Sequence, residues 1–470
     1  MDYRSALAYL DQHTNLEGHR ARRFDGPSDQ APPPTDVVLP NAGDTSGLSL
    51  EPMRALLDIL GDPHQAYRTI HITGTNGKGS VSRIASSLIQ ATDLSVGTYT
   101  SPNLVRVNER LAWGGESIDD EDFGRVVGLL ASVEPMLDVV PSRFELLTAA
   151  AFVWFAELGV DVAVIEVGLL GRFDATNVID ADVAVVTNVG KDHTTGGPGW
   201  REAVATEKAG IISPDSHLVL GFDPGELAPI FTAEGPADTW TLGSEFRIES
   251  NALAVGGRVL DITTPGTTYE DLFFPFYGDH QADNLATALA TTEAFFARSV
   301  DTEIVEFALS TVELPARFEV VSREPTIILD AAHNPPGAEA VARTLDESFA
   351  RLGSWVLVIG LLQGKDPVEM LTAIGAADFD AVICCQPDWS RALDARELAA
   401  AAEGMGLSAE VVQKPIEALH RALAVTADDD LILMAGTHYI IGDVRSAAVA
   451  VGANRAPQAE QLDDGEPDGA

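Results

Sequence analysis

The residues with the most chemical content lie in HITGTNGKGS, residues 71–80. Gly74, Gly77 and Gly79 let a backbone approach a bound group closely, and Lys78 places a positive charge among them. The strand-like RTIHIT (68–73) leads into its glycines and a helix-patterned run follows them, so the segment reads as a strand-to-helix turn. Backbone N–H groups there, backed by a helix N-terminus, can hold phosphate. Thr75, Asn76, Gly77, Lys78, Gly79 and Ser80 are therefore candidate nucleotide ligands, with Lys78 reaching the terminal phosphates. The strict pattern G-x-x-x-x-G-K-[ST] is not met, because Ile72 opens it and Gly79 follows the lysine. A magnesium ligand must then come from elsewhere. The competing reading is a purely structural glycine turn.

Lysine is otherwise scarce. Only Lys78, Lys191, Lys208, Lys365 and Lys414 occur, arginine filling the other basic positions. Each is a candidate for work that arginine cannot do, such as presenting a compact ammonium or a neutral amine. Chance retention on the surface competes with that reading, most of all for Lys414. Glu166 closes the apolar run VAVIEV, where a lone carboxylate is costly without a cation nearby; a solvent-facing strand end is the alternative.

These residues need a scaffold, and the pattern supplies one. RTIHIT (68–73), VAVIEV (162–167) and VAVVTN (183–188) read as buried strands, with helices over 80–92 and 143–158. Such alternation predicts parallel sheets covered on both faces by helices. Residues 240–275 turn to short Thr- and Gly-rich strand-like pieces, and a helix follows over about 281–297. Around 311–316 the chain reads as an inter-domain connection. Beyond it TIILDA, WVLVIG, AVICC, AEVVQ and LILMAG begin a second βα series. The expected domains are 1–313, with a Pro/Gly/Asp-rich loop insertion at about 14–47, and 314–454, followed by an acidic disordered tail, 455–470.

Composition narrows the class. Acids number 71 against 30 bases, a net charge of −41 spread along all 470 residues. Self-repulsion of that size is relieved by salt screening, which suggests a salt-rich cytoplasm. No basic face is available for nucleic acid, and no apolar run approaches the ~20 residues needed to span a bilayer. The N-terminus lacks the basic-then-apolar order of a signal peptide. Cys384 and Cys385, adjacent in an apolar stretch, read as buried small hydrophobes. The expectation is a cytoplasmic enzyme, monomeric, without nucleic-acid or membrane partners.

The loop resembles that of the Mur ligase superfamily. Further motifs narrow the resemblance to the folylpolyglutamate synthase/dihydrofolate synthase family over about residues 48–450: YTSPNLVRVNERL (99–111), EVGLLGRFDATN (166–177), TNVGKDH (187–193), EKAGII (207–212), GDHQADNLATA (278–288), PARFEVV (315–321), DAAHNP (330–335), GLLQGKD (360–366) and AGTHYIIGDVR (435–445). The resemblance implies a P-loop α/β ATPase domain joined to a Rossmann-like glutamate ligase domain. It implies an ATP- and magnesium-dependent ligase adding L-glutamate to a folate, a dihydropteroate or both, through an acyl phosphate. Such an enzyme must align and neutralise more than it must bond covalently.

By the same resemblance Ser101 and Glu166 hold magnesium at the phosphates and His193, beside Asn188 and Asp192, holds a second. Lys208 looks like the family lysine that CO₂ carbamylates, which needs a neutral amine. Asn284, Arg317 and Asp330 look like ATP ligands from across the domain interface; His333 is a further catalytic candidate, and Phe144 and Glu145 fall near the pterin. A satisfied structural histidine, a salt-bridged surface lysine and a structural Arg317 ion pair are the respective alternatives. Asn103, Leu170, Lys191 and Ala316 depart from the usual family residues, glycine being common at the last position and at that of Leu170. Two further readings stay open: a Mur-type ligase for another acid and amine, and a nucleotide switch without catalysis. A non-catalytic acidic scaffold would bind no ATP.

Overall fold

The computed structural model describes residues 1–14, 49–191 and 197–455. The expected insertion beyond Thr14, Asp192 and His193, and the tail beyond Arg455 lie outside the described residues.

Eight strands form the first sheet: β1 (Arg68–Thr73), β2 (Val96–Tyr99), β3 (Leu111–Trp113), β4 (Glu116–Ser117), β5 (Val162–Glu166), β6 (Val183–Val186), β7 (His217–Leu220) and β8 (Asp238–Thr241), in the order β4-β3-β2-β5-β1-β6-β7-β8. β2, β5, β1, β6, β7 and β8 run parallel. Every residue of β5 and β6 is buried, as expected of strands covered on both faces. One face packs on the helix Lys78–Gln90 and the helix Asp279–Phe296, through Val81, Ile84, Leu88, Leu285 and Leu289. The other packs on the helix Arg143–Leu158, through Leu147, Ala151 and Phe155.

The expectation of parallel sheets needs a correction at the edges. β3 and β4 run antiparallel, as a hairpin closed by Gly114 and Gly115 at φ +58° and +84°. Two glycines with positive φ suit the tight turn that matches strand twist. The stretch 240–275 yields the end of β8 and a separate antiparallel sheet of β9 (Arg247–Ala254), β10 (Gly257–Thr263) and β11 (Thr268–Phe274).

The third sheet holds β12 (Glu319–Arg323), β13 (Thr326–Leu329), β14 (Trp355–Ile359), β15 (Ala381–Cys384), β16 (Ala409–Val411) and β17 (Leu431–Ala435), ordered β12-β13-β17-β14-β15-β16. Only β12 is antiparallel, a hairpin partner of β13. Helices cover both faces, with Leu345, Met370 and Leu398 on one and Leu419, Ile440 and Val444 on the other. Cys384 and Cys385 are buried and free. No described helix is long and apolar enough to cross a membrane.

The net charge of −41 sits on this fold with few cations to offset it. The melting temperature should therefore rise by several degrees between about 0.1 M and about 1 M KCl, as the Debye length shrinks from ~10 to ~3 Å. A flat or falling dependence in a calorimetric melt would remove the inference of a salt-rich setting.

Candidate active site

Three strand ends build the floor of the cleft. β5 ends at Glu166, β1 runs into the glycine loop, and β6 leads into Thr187 and Asn188. β1 lies between β5 and β6. Ligands of open α/β sheets bind in such a crevice, beyond the carboxyl ends of the strands.

The loop is held from behind. Asn188 Oδ1 accepts from the N–H of Thr75 (3.1 Å) and of Asn76 (3.0 Å), and its amide donates to Asn76 O (3.0 Å). Thr187 Oγ1 donates to Asn76 O at 2.5 Å. Gly77, at φ +83°, precedes the helix Lys78–Gln90, which begins two residues earlier than the pattern predicted and has no side-chain cap. Its first N–H groups are thus left for an anion. A Cβ on Gly77 would lie 2.3 Å from Asn284 Oδ1, so glycine is required both by backbone angle and by space. Lys78 Nζ donates to Gly74 O (3.0 Å) and lies 3.4 Å from Thr75 O, folded over the loop it would leave to meet phosphate.

Glu166 is 3% exposed and accepts the Ser101 N–H at 3.1 Å. A Cβ on Gly79 would lie 3.5 Å from its Oε2, so the carboxylate sits against the helix's first turn. Burial pushes its pKa up, opposed by Lys78, the Ser101 N–H, Arg317 and Arg83. Ser80, next to Gly79 in the chain, has a buried Oγ with no hydrogen-bond partner. Glu166, Ser101 and this orphaned hydroxyl are hard oxygen donors of the kind magnesium takes beside phosphate. No cluster of three His, Cys, Asp or Glu side chains able to hold a metal occurs among the described residues. His193, the expected ligand of a second magnesium, lies outside them.

The third sheet contributes the opposite wall. Asp330, just past β13, is 6% exposed; its Oδ2 accepts the Phe318 N–H (2.7 Å) and its Oδ1 the Ala332 N–H (2.7 Å). Burial raises its pKa against the pull of Arg317. The carboxylate expected at the nucleotide thus already fixes two loops, each oxygen keeping a second lone pair. Arg317 donates from Nη1 to Ala316 O (3.2 Å) and from Nη2 to His438 Nε2 (3.2 Å). His333 bonds Ala331 O through Nδ1 at 3.0 Å. The two walls meet directly: Asn76 Nδ2 donates to Asn334 Oδ1 (3.2 Å), and Asn334 Nδ2 to Asn76 Oδ1 (3.0 Å).

Two departures from glycine acquire a meaning. Leu170 and Ala316 both sit at φ +58°, and Phe318 at φ +49°, so Arg317 is flanked by left-handed backbone. This conformation costs an L-residue roughly 1–2 kcal/mol. Replacing Ala316 by Gly relieves that strain but forfeits a buried methyl and adds chain entropy, so stability should stay within about 0.5 kcal/mol of the parent. Ala316→Val should lose roughly 2 kcal/mol, since β-branched residues are outliers there. Thermal melts of the pair check this; equal stability of both variants would show that the turn is not constrained.

Other expected residues lie around this cleft. Lys208 is buried in the last turn of the helix Trp200–Ala209, and a Cβ on Gly171 would lie 3.2 Å from its Cα. It therefore packs on the segment that starts at Glu166. The Phe144 ring covers Gly168, where an added Cβ would meet Cζ at 2.4 Å. Glu145 is occupied differently: its Oε2 accepts the Ser142 N–H (2.6 Å) in a capping box that starts the helix Arg143–Leu158. Thr187, Asn334, His438 and Arg83 were not singled out in the sequence. Each lies within or beside a quoted motif, but its partner is far away along the chain.

The chain matches the Mur ligase middle domain over residues 72–292 and the Mur ligase, glutamate ligase domain over residues 316–438. It is 39% identical over 381 residues to the dihydrofolate synthase/folylpolyglutamate synthase of Mycobacterium tuberculosis, covering 75% of this chain and 77% of that protein. It resembles the solved folylpolyglutamate synthase of Mycobacterium tuberculosis complexed with ADP, with a TM-score of 0.83 and 33% identity over 95% of this chain and 99% of that one. A bifunctional folylpolyglutamate synthase/dihydrofolate synthase from Yersinia pestis, complexed with AMPPNP and Mn ion, gives a TM-score of 0.78 and 26% identity over 95% and 98% of the two chains.

Proposed function

The chain belongs to the folylpolyglutamate synthase/dihydrofolate synthase family of Mur ligases, and we propose that its cleft joins L-glutamate to a folate or dihydropteroate carboxylate at the cost of ATP. The observation that carries this reading is the convergence on Glu166. Its buried carboxylate accepts the Ser101 N–H and sits against Gly79 in the first turn of the helix that follows the glycine loop, Lys78 and Arg317 favour its charged form, and the Asn76–Asn334 pair ties the walls together.

The chemistry follows from the placement. A carboxylate resists attack by an amine, so it first takes the γ-phosphoryl group of ATP. Phosphate leaves once the glutamate nitrogen has added to the resulting acyl phosphate. The free N–H groups at the start of Lys78–Gln90 would hold phosphate oxygens, and Lys78 and Arg317 would neutralise charge from two sides. Asn284 and Asp330 would contact the nucleotide from beyond the loop. Glu166 and Ser101, with Ser80 Oγ, would hold a divalent cation, which supplies charge neutralisation on the transferring group. His333 belongs to the wall from which glutamate would approach. Phe144, with Glu145 fixing its helix, would border the pterin.

Finer assignments extend the reading: carbamylation of Lys208, a second metal at His193, a domain division near 313/314, and a monomer working in the cytoplasm. The experiment is a turnover assay at molar salt comparing dihydropteroate with tetrahydrofolate. Glutamate-dependent ADP release with at least one of them is expected, and ADP release independent of any pterin acceptor would sink the proposal.

A further inference from the structure

The helix His438–Arg455 opens on a histidine whose ring meets the one arginine proposed to face the phosphates from the second wall. Arginine offers only donors, so at 3.2 Å from Arg317 Nη2 the His438 Nε2 must be the acceptor. That fixes a neutral ring with its proton on Nδ1. The surroundings favour this state. Burial lowers the pKa of His438 well below the ordinary value, and the positive charges of Arg317 and Lys78 act in the same direction. The start of a helix adds a further positive field. The His333 ring, at 5.4 Å between centroids, closes one side of the imidazole.

The same helix holds the Arg317 turn at a second point. Arg445 lies seven residues on, two turns along the same face. Its Nε and Nη2 grip Glu319 Oε1 at 3.1 and 2.6 Å, while Glu319 Oε2 accepts the Ala316 N–H at 2.9 Å. Arg445 thereby anchors the backbone on which Arg317 stands, and only His438 reaches the guanidinium from that helix among the described hydrogen bonds. Arg317 is a long side chain with many rotamers, and ordering it on ligand binding would cost affinity. A fixed acceptor removes part of that cost beforehand.

We propose that His438 is a positioning residue that holds the Arg317 guanidinium toward the cleft by accepting its hydrogen bond. The proposal rests on the reading of Arg317 as a phosphate ligand, and the two are separable by experiment. AMPPNP affinity by calorimetry and kcat and KM by ADP release are measured for His438→Leu, His438→Gln, Arg317→Ala and the His438→Leu, Arg317→Ala pair. His438→Leu should weaken AMPPNP about tenfold, the worth of one charge-assisted hydrogen bond, with KM for the pterin acceptor unchanged within about twofold. His438→Gln, whose amide oxygen can accept, should recover to within about threefold. On the Arg317→Ala background His438→Leu should add nothing.

A loss that is the same with and without Arg317, or a glutamine variant as weak as leucine, would overturn the role of His438. If instead Arg317→Ala itself binds AMPPNP normally, the assignment of Arg317 fails. Should His438→Leu melt early, His438→Asn, too short to reach Nη2, provides the same loss of contact with polarity retained.

Discussion

Replacing Glu166 by glutamine will lower ADP formation about 10²–10³-fold at saturating magnesium, while affinity for nucleotide without divalent cation stays equal or tightens. The substitution keeps the shape and an oxygen for the Ser101 N–H, 3.1 Å away, and removes only the charge. That charge is unusual. It sits at 3% exposure, where an unpaired carboxylate would normally protonate, and Lys78, Arg317 and Arg83 oppose that outcome. A site built only to neutralise these cations would lose stability on substitution and little rate. A site built to hold a divalent cation loses the rate, because a neutral amide is a poorer hard-oxygen ligand. Titrating magnesium in an ADP-release assay separates the two. A fall of less than about threefold at saturation leaves Glu166 a mere counter-charge.

Much of this site was legible because its parts are local. β5 has both faces covered, and the nearly continuous apolar run VAVIEV announces it, while β1 is marked by RTIHIT, rich in β-branched residues. The loop after β1 follows from its glycines, and Glu166 from its place at a strand end. What holds the loop was not legible. Asn188 lies 112 residues from Asn76, and Asn334 lies 258 from it; no period or spacing encodes such contacts. The same is true of His438, whose partner Arg317 is 121 residues away. Ala316 and Leu170 looked like ordinary departures until their φ of +58° showed what glycine would supply there. Glu145 carries a structural role that its place near the pterin segment hid: Ser142 three residues before it marks a capping box.

Lys208→Ala will abolish ligation, by about 10³-fold or more, yet leave ADP affinity within about twofold. Lys208 is 3% exposed at the end of its helix, and Arg172 N donates to Glu207 O at 2.8 Å, fastening that turn to the segment continuing from Glu166. A lysine held there only for packing should be replaceable by arginine or methionine at modest cost. Carbamylation makes a sharper demand: the Nζ lone pair adds to the carbon of CO₂, Nζ loses a proton, and a carbamate anion results. Arginine cannot do this, so Lys208→Arg should be as inactive as alanine. Stripping bicarbonate from the parent should slow it, and returning bicarbonate should restore it. Short carboxylates, supplying the missing anion, should partly rescue Lys208→Ala and do nothing for Glu166→Gln. An active Lys208→Arg variant, indifferent to bicarbonate, would show that this lysine contributes only its bulk and positive charge.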